Sequence, residues 1–533
     1  GTVTVGGNLI ATTDDNDGVI DMGTLAVDGT MALVTHNNGA ATIVNDAVIN
    51  FAASTVGGAL SATATAGNIT DSGVLAITGT STFTVADGRS ITLDQSSTFS
   101  STVAFASSGG GAIAAVEITD SNALALGAIT TAGNLTVTAG GAVTQSAALV
   151  IGGTATIDAG SGNDITLSDG SNNFATVIIT AGNNVTLADA GAIALGASTV
   201  SGTYSVTAPG AVTQSGALAI TGATTISASG YNVTLNEPTN NFQGAVGITG
   251  AVVSVVDAGA IILGASTVSG TYAVTATAGG DITNSGVLAI TGGATFKVDD
   301  GRSITLNQSN TFSSTVTFTP LSGTIAAVTI NDSDTLDLKA LTLTGDLNVT
   351  AGGAVTNSGT LVIPGTATIS ASSQAVTLNE SSNNFGTAAI TGANVAITDT
   401  NAIILGASTV SGTYTVTAGG AVTDSGTQEI TGVTTISASG QDVTLNTATN
   451  NFAAAVGITG ANVAVVDEDA IVLGASTVSG TYNLTAGGAV TQSGALAITG
   501  ATTISASGRD VTLNTATNNF AAAVGITGAN VAV

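Results

Sequence analysis

Cysteine and tryptophan are absent from the 533 residues, histidine occurs once, and lysine and arginine together number five. Without cysteine there is no disulfide framework and no thiolate metal site. Five cations against 33 acidic residues, a net charge of −28, leave no basic footprint of the kind that neutralises phosphates, so nucleic acid is excluded as a partner. Long apolar runs are missing too. The most apolar stretch, Gly244 to Val256, falls short of the ~20 residues of a membrane-spanning helix and is interrupted by Gly, Thr and Ser, so membrane insertion is not expected. Charged residues make up only 7% of the chain, yet 44% is hydrophobic, which argues against disorder.

What is present is repetition. The phrase Gly-Ala-Ser-Thr-Val-Ser-Gly-Thr-Tyr begins at Gly196, Gly264, Gly406 and Gly474. A Thr-x-Ser landmark places its serine at Ser72, Ser146, Ser215, Ser285, Ser358, Ser425 and Ser493, and a phenylalanine after Asn or Thr recurs at Phe99, Phe174, Phe242, Phe312, Phe385, Phe452 and Phe520. The two series advance together in nearly equal steps, which defines a long repeat unit. Asp87–Leu93 is echoed at Asp300–Leu306, three units further on. Each unit divides again: Ile220-Thr221-Gly222 returns as Ile248-Thr249-Gly250, loosely as Val268-Ser269-Gly270, then as Ile290-Thr291-Gly292. The longest of these steps contains Asn236 to Phe242 and reads as a loop insertion, leaving an elementary module of about 20 residues, three to a unit.

Within a module, runs such as Thr224-Thr225-Ile226-Ser227 and Val233-Thr234-Leu235 alternate apolar with small polar residues and end in turn formers. Period-two alternation rich in Val, Ile and Thr is a strand signal. No window has the spacing of an amphipathic helix, and the 71 glycines would weaken one. An all-β parallel β-helix is expected, one coil per module of about 20 residues, roughly 22 coils at ~4.8 Å each, or a rod on the order of 100 Å. Residues 1–50 read as irregular coils of the same solenoid and 51–533 as about seven regular ~70-residue repeats. The last of these stops mid-repeat, so the chain is expected to be a fragment or to meet a partner at its ends.

Ala351 to Gly359, Ala-Gly-Gly-Ala-Val-Thr-Asn-Ser-Gly, together with Leu347-Asn348-Val349-Thr350 and the recurring Ile-Thr-Gly, resembles the repeats of filamentous haemagglutinin-type large exoproteins and other bacterial surface β-strand-repeat proteins. The resemblance covers nearly the whole chain. It implies a right-handed parallel β-helix, export across the bacterial envelope, and a role in adhesion or extracellular matrix.

Candidate chemistry is sparse. His36, within Thr35-His36-Asn37-Asn38-Gly39, reads as an exposed turn residue. One histidine cannot supply a recurring Ser-His pair, and Arg89, Lys297, Arg302, Lys339 and Arg509 are mostly far apart, so an enzyme is not expected. No organic cofactor is expected. Calcium is left open at three places: Asp164 in a solitary Gly-Asp turn (Gly160–Leu167), Asp14-Asp15-Asn16-Asp17, and Asp467-Glu468-Asp469, each of which also reads as a solvated turn. The Asn-Asn-Phe phrases with Phe174, Phe242, Phe385, Phe452 and Phe520 read as a packing device, with a periodic binding strip as the rival. Thr136-Val137-Thr138 and Thr415-Val416-Thr417 could array hydroxyls for ice, but such phrases do not recur in every coil.

The expectation is a non-enzymatic extracellular stalk or filament subunit at a bacterial surface or in its matrix. It would self-associate head to tail into fibres and meet host or surface glycans or proteins. The alternative is an adhesin stalk that presents a binding region elsewhere, and a weaker third reading is a polysaccharide-active β-helix.

Overall fold

The computed structural model describes all 533 residues, Gly1–Val533. Every regular element is a short strand, none is a helix, and all pairings are parallel, giving a β-solenoid of about 26 turns of roughly 20 residues. The chain divides into two compact units, Gly1–Gly270 and Thr271–Val533. Each is a stack of coils with an apolar interior.

The alternation seen in the sequence is what builds the wall. In Val185–Ala188 the side chains of Val185 and Leu187 are buried while Thr186 points outward. The next coils repeat this in register, Val185 pairing with Tyr204, Tyr204 with Thr224 and Thr224 with Val246. Inward positions thus form largely apolar columns with an occasional buried Thr or Ser, and the outer faces carry Thr, Ser and Ala. At about 4.8 Å between strands, like charges on these faces would stand directly above one another, which is destabilising. That spacing gives a physical reason for the low charge content.

The elementary coil stands as expected, but a repeat holds three coils and half of a fourth. From Ala41 the ladder climbs one sheet through Leu60, Ser81, Val103, the strand Leu124–Leu126, Val143 and Ile165 to Val185, seven steps for two repeats. The intervening repeat begins at Val116, on the other sheet. Its ladder runs through Leu135, Ala155, Val177, Ile193–Leu195, Val212 and Val233 to Val253, again seven steps. In the second unit Val328 reaches Val463 in seven steps by way of Leu347, Ala367, Ala388, Ile403–Leu405, Val422 and Val443. Successive repeats therefore start on alternate sheets. The same Val-x-Val pattern fits either wall, because only its two-residue period is read.

The half coil comes from the segment that reads as an inserted loop. Asn241–Phe242 is itself a strand, which pairs with Leu218–Ile220 and closes a coil. At the corners the chain turns through glycine for lack of room. A Cβ on Gly222 would overlap the Gly202 carbonyl, and one on Gly244 the Gly222 carbonyl, each one coil away. Gly222→Ala is expected to destabilise the stack by about 1–3 kcal/mol through this overlap. Gly230→Ala meets open space instead and is strained only by its φ of +80°. Thermal melts of the two variants check the first cost, and an unshifted melt for Gly222→Ala would contradict the corner geometry.

Candidate functional site: a buried polar seam

Six of the seven repeats join three polar side chains drawn from three different coils, the first half-buried or buried and the other two buried. The first is the middle residue of Thr-x-Ser, here Gln214; the second is the first asparagine of Asn-Asn-Phe, here Asn240; the third is an aspartate closing the repeat-start strand, here Asp257. Asn240 is fully buried and its Oδ1 accepts the Leu218 N–H at 2.9 Å. Its Nδ2 donates to the carbonyls of Leu235 (3.3 Å) and Val256 (3.1 Å) and to Gln214 Oε1 (3.2 Å). Gln214 Nε2 donates to the Gly216 carbonyl at 2.8 Å and to Asn240 Oδ1. Asp257 then accepts the Phe242 N–H on Oδ2 (2.7 Å) and the Gly259 N–H on Oδ1 (2.6 Å).

The arrangement recurs. Buried Asn172, Asn310, Asn383 and Asn450 each accept the N–H of a residue one coil below, Leu149, Leu288, Leu361 and Gln428. Asp189, Asp332, Asp399 and Asp467 accept the N–H of Phe174, Phe312, Phe385 and Phe452 at 2.6–3.1 Å. The first seam substitutes Ser97 for asparagine, its Oγ accepting from Leu75 N–H at 3.0 Å. Buried polar groups are costly unless bonded, and here they take up main-chain groups at the corners, where the ladder is interrupted. The chemistry this supports is adhesion between coils.

The landmark phenylalanines point inward. Phe174, Phe242, Phe385 and Phe452 are buried and Phe520 is partly buried. Each stacks on the isoleucine one coil below: Ile151, Ile220, Ile363, Ile430 and Ile498. Phe83 with Phe105, and Phe296 with Phe318, add stacked pairs at 6.0 and 5.9 Å.

Three of the calcium candidates, Asp164, Asp467 and Asp17, accept hydrogen bonds within the chain. Exposed Asp164 accepts from Asn183 Nδ2 (2.9 Å) and from Asn184 N (3.1 Å), on the next coil, and these bonds hold its pKa below the usual carboxylate range. Asp467 is buried with its oxygens on Phe452 N and Asp469 N, while Glu468 and Asp469 are exposed. Asp14, Asp15, Asn16 and Asp17 lie at the surface, and Asp17 caps the Asn38 N–H at 2.9 Å. No three Asp, Glu or His side chains converge as a metal site would require. His36 is exposed in a turn closed by the Gly39 N–H on its carbonyl at 2.9 Å. Of the cations, Lys339 pairs with Asp337 at 2.7 Å, whereas Arg89, Lys297, Arg302 and Arg509 are exposed.

Burial of the seam aspartates leads to an expected acid response. Burial raises the pKa of Asp120, Asp189, Asp257, Asp332, Asp399 and Asp467, and that of Asp71 to about 6 from 3.8. Between the unfolded and the raised folded values the native chain binds more protons than the unfolded chain, so stability falls as pH rises through that window. Melting is therefore expected to move to higher temperature as pH drops from 7.5 towards 5. A fall over the same range would contradict the seam's burial.

Seven segments, 38–106, 113–181, 182–249, 249–319, 326–391, 392–459 and 460–527, match the family described as repeats of unknown function (DUF5649). The chain belongs to that family. No curated protein and no solved structure matches it. The family boundaries cut through the seams: 182–249 contains Asn240 and Phe242, and the aspartate that completes them, Asp257, lies in the following repeat. Each of the first six repeats is thus fastened by its successor.

Proposed function

We propose that the chain is a non-enzymatic structural protein of the bacterial exterior, a β-helical stalk or filament segment whose length follows its number of repeats. A repeat β-solenoid is an architecture suited to a structural protein. The observation that carries the reading is the fate of the recurring polar residues: Gln214, Asn240, Asp257 and their equivalents are spent on main-chain groups of their own and neighbouring coils. The extracellular setting rests on the likeness to filamentous haemagglutinin-type exoproteins, and self-association into fibres and contact with surface glycans or proteins belong to the same proposal.

Deleting the two repeats from Val116 to Val252 removes seven coils. Negative-stain images should then show particles shorter by about 34 Å, from the ~4.8 Å coil spacing. A compact particle, or one of unchanged length, would overturn the stalk.

A further inference from the structure

The first repeat's seam differs from the others at the middle position of Thr-x-Ser as well as at Ser97. At the middle position of Thr-x-Ser, five repeats carry an amide that donates to the carbonyl two residues on: Gln145 to Ala147 (2.8 Å), Gln214 to Gly216 (2.8 Å), Asn284 to Gly286 (3.1 Å), Asn357 to Gly359 (2.9 Å) and Gln492 to Gly494 (2.6 Å). In a sixth, Asp424 stands there, and the missing donor is restored by Gln428, whose Nε2 reaches the Gly426 carbonyl at 2.9 Å. Gln428 occupies the position that is leucine at 149, 218, 288, 361 and 496.

In the first repeat the position is Asp71 and the compensating position is Leu75, which has no donor to offer. Asp71 is nine-tenths buried. Its Oδ1 accepts the Asp94 N–H at 3.0 Å, as Gln214 Oε1 accepts that of Glu237 at 3.2 Å. Its Oδ2, the counterpart of the amide nitrogen elsewhere, is buried without a partner.

We propose that Asp71 is a proton-operated lock on the first repeat. With a proton on Oδ2 the carboxylic acid does what the amide does in the other repeats, donating to the Gly73 carbonyl or to Ser97 Oγ. Ionised, it leaves that bond unmade and a charge inside the wall, and the coils on either side open more readily.

The surroundings favour the neutral acid. Of the strands packed against Ile69–Asp71, Ile49–Phe51 has no titratable group and Ile91–Phe99 has Asp94 alone, whose negative charge opposes a second one. Burial above all, with this repulsion, outweighs the Asp94 and Gln95 N–H groups that favour the carboxylate and pushes Asp71 up to about 6, within reach of modest acidification.

Hydrogen exchange on the full chain at pH 5 and pH 7.5, corrected for the intrinsic rate, tests the lock. In the wild type the segments 69–77 and 91–99 should lose protection roughly tenfold or more at the higher pH, in proportion to the shifted titration. Asp71→Asn should remove that loss from 69–77 and reduce it in 91–99, where buried Asp120, whose Oδ1 accepts the Phe99 N–H, keeps its own titration. Equal pH dependence in the two proteins would overturn the proposal. Should Asp71→Asn fail to fold, Leu75→Gln supplies the donor as Gln428 does, and it must reduce the pH dependence of the same segments. No reduction would overturn the lock as firmly.

Discussion

Replacing Asn240 with alanine is expected to destabilise its region of the solenoid by about 3 kcal/mol or more, whereas the same change at Asn241 is expected to cost within about 0.5 kcal/mol. The two residues are adjacent and chemically identical. Asn240 is fully buried and bonds to Leu218, Leu235, Val256 and Gln214, and Asn241 is exposed. Truncating Asn240 orphans a main-chain N–H and two carbonyls inside the wall, each costing about 1–3 kcal/mol. A long repeat array does not unfold as one cooperative unit, so the effect is best read locally. Hydrogen exchange over residues 214–260 should accelerate strongly in Asn240→Ala and stay unchanged in Asn241→Ala. Equal effects would refute the seam.

Phe242→Ala is expected to cost about 3–5 kcal/mol, the range for emptying a fully packed aromatic site. Phe242 is 1% exposed, and its ladder partner is Ile220. The coil cannot collapse to fill the gap, because its outline is fixed by hydrogen bonds to the coils above and below. Phe242→Leu keeps most of the volume and should cost less than half as much. Local exchange over the same residues separates the two, and a cheap alanine variant would place the ring outside the core.

Much of this fold is legible in the sequence, for a simple reason. Val185-Thr186-Leu187 and its many relatives alternate without ambiguity, glycine and asparagine mark the corners, and identical phrases at fixed steps leave a solenoid as the natural solution. The number of coils per repeat is harder to see. Counting modules by their Ile-Thr-Gly phrases gives three to a unit, because Asn236 to Phe242 has the composition of a loop. Phe242 is apolar and pairs with Ile220, so that segment adds the extra half coil. Periodicity reports where a strand is but not which wall it joins, since Val185 and Val253 carry the same pattern and lie on different sheets.

The seam is present in the sequence as landmarks whose meaning is hidden. Thr-x-Ser is most easily followed by its serine, although the buried partner is the residue before it. The aspartates at 189, 257, 399 and 467 follow the phenylalanines by 14 or 15 residues, Asp332 lying further on at 20, and that is the available signal. Only the third dimension brings Gln214, Asn240 and Asp257 together, since they belong to different coils and lie well apart along the chain. Asp467 shows the ambiguity well. Beside Glu468 and Asp469 it reads as part of an acidic cluster, yet it is turned inward onto Phe452 N–H while its neighbours face solvent.

The central claim is that two repeats make seven coils and that each repeat is fastened to the next by a buried polar seam. Cryo-electron microscopy of the chain at side-chain resolution tests it most directly. Parallel strands about 4.8 Å apart, Val185 and Val253 on different sheets, and Asn240 inside the wall between Leu218 and Val256 are the expected result. Val253 on the same sheet as Val185, or Asn240 on the outer surface, would contradict it.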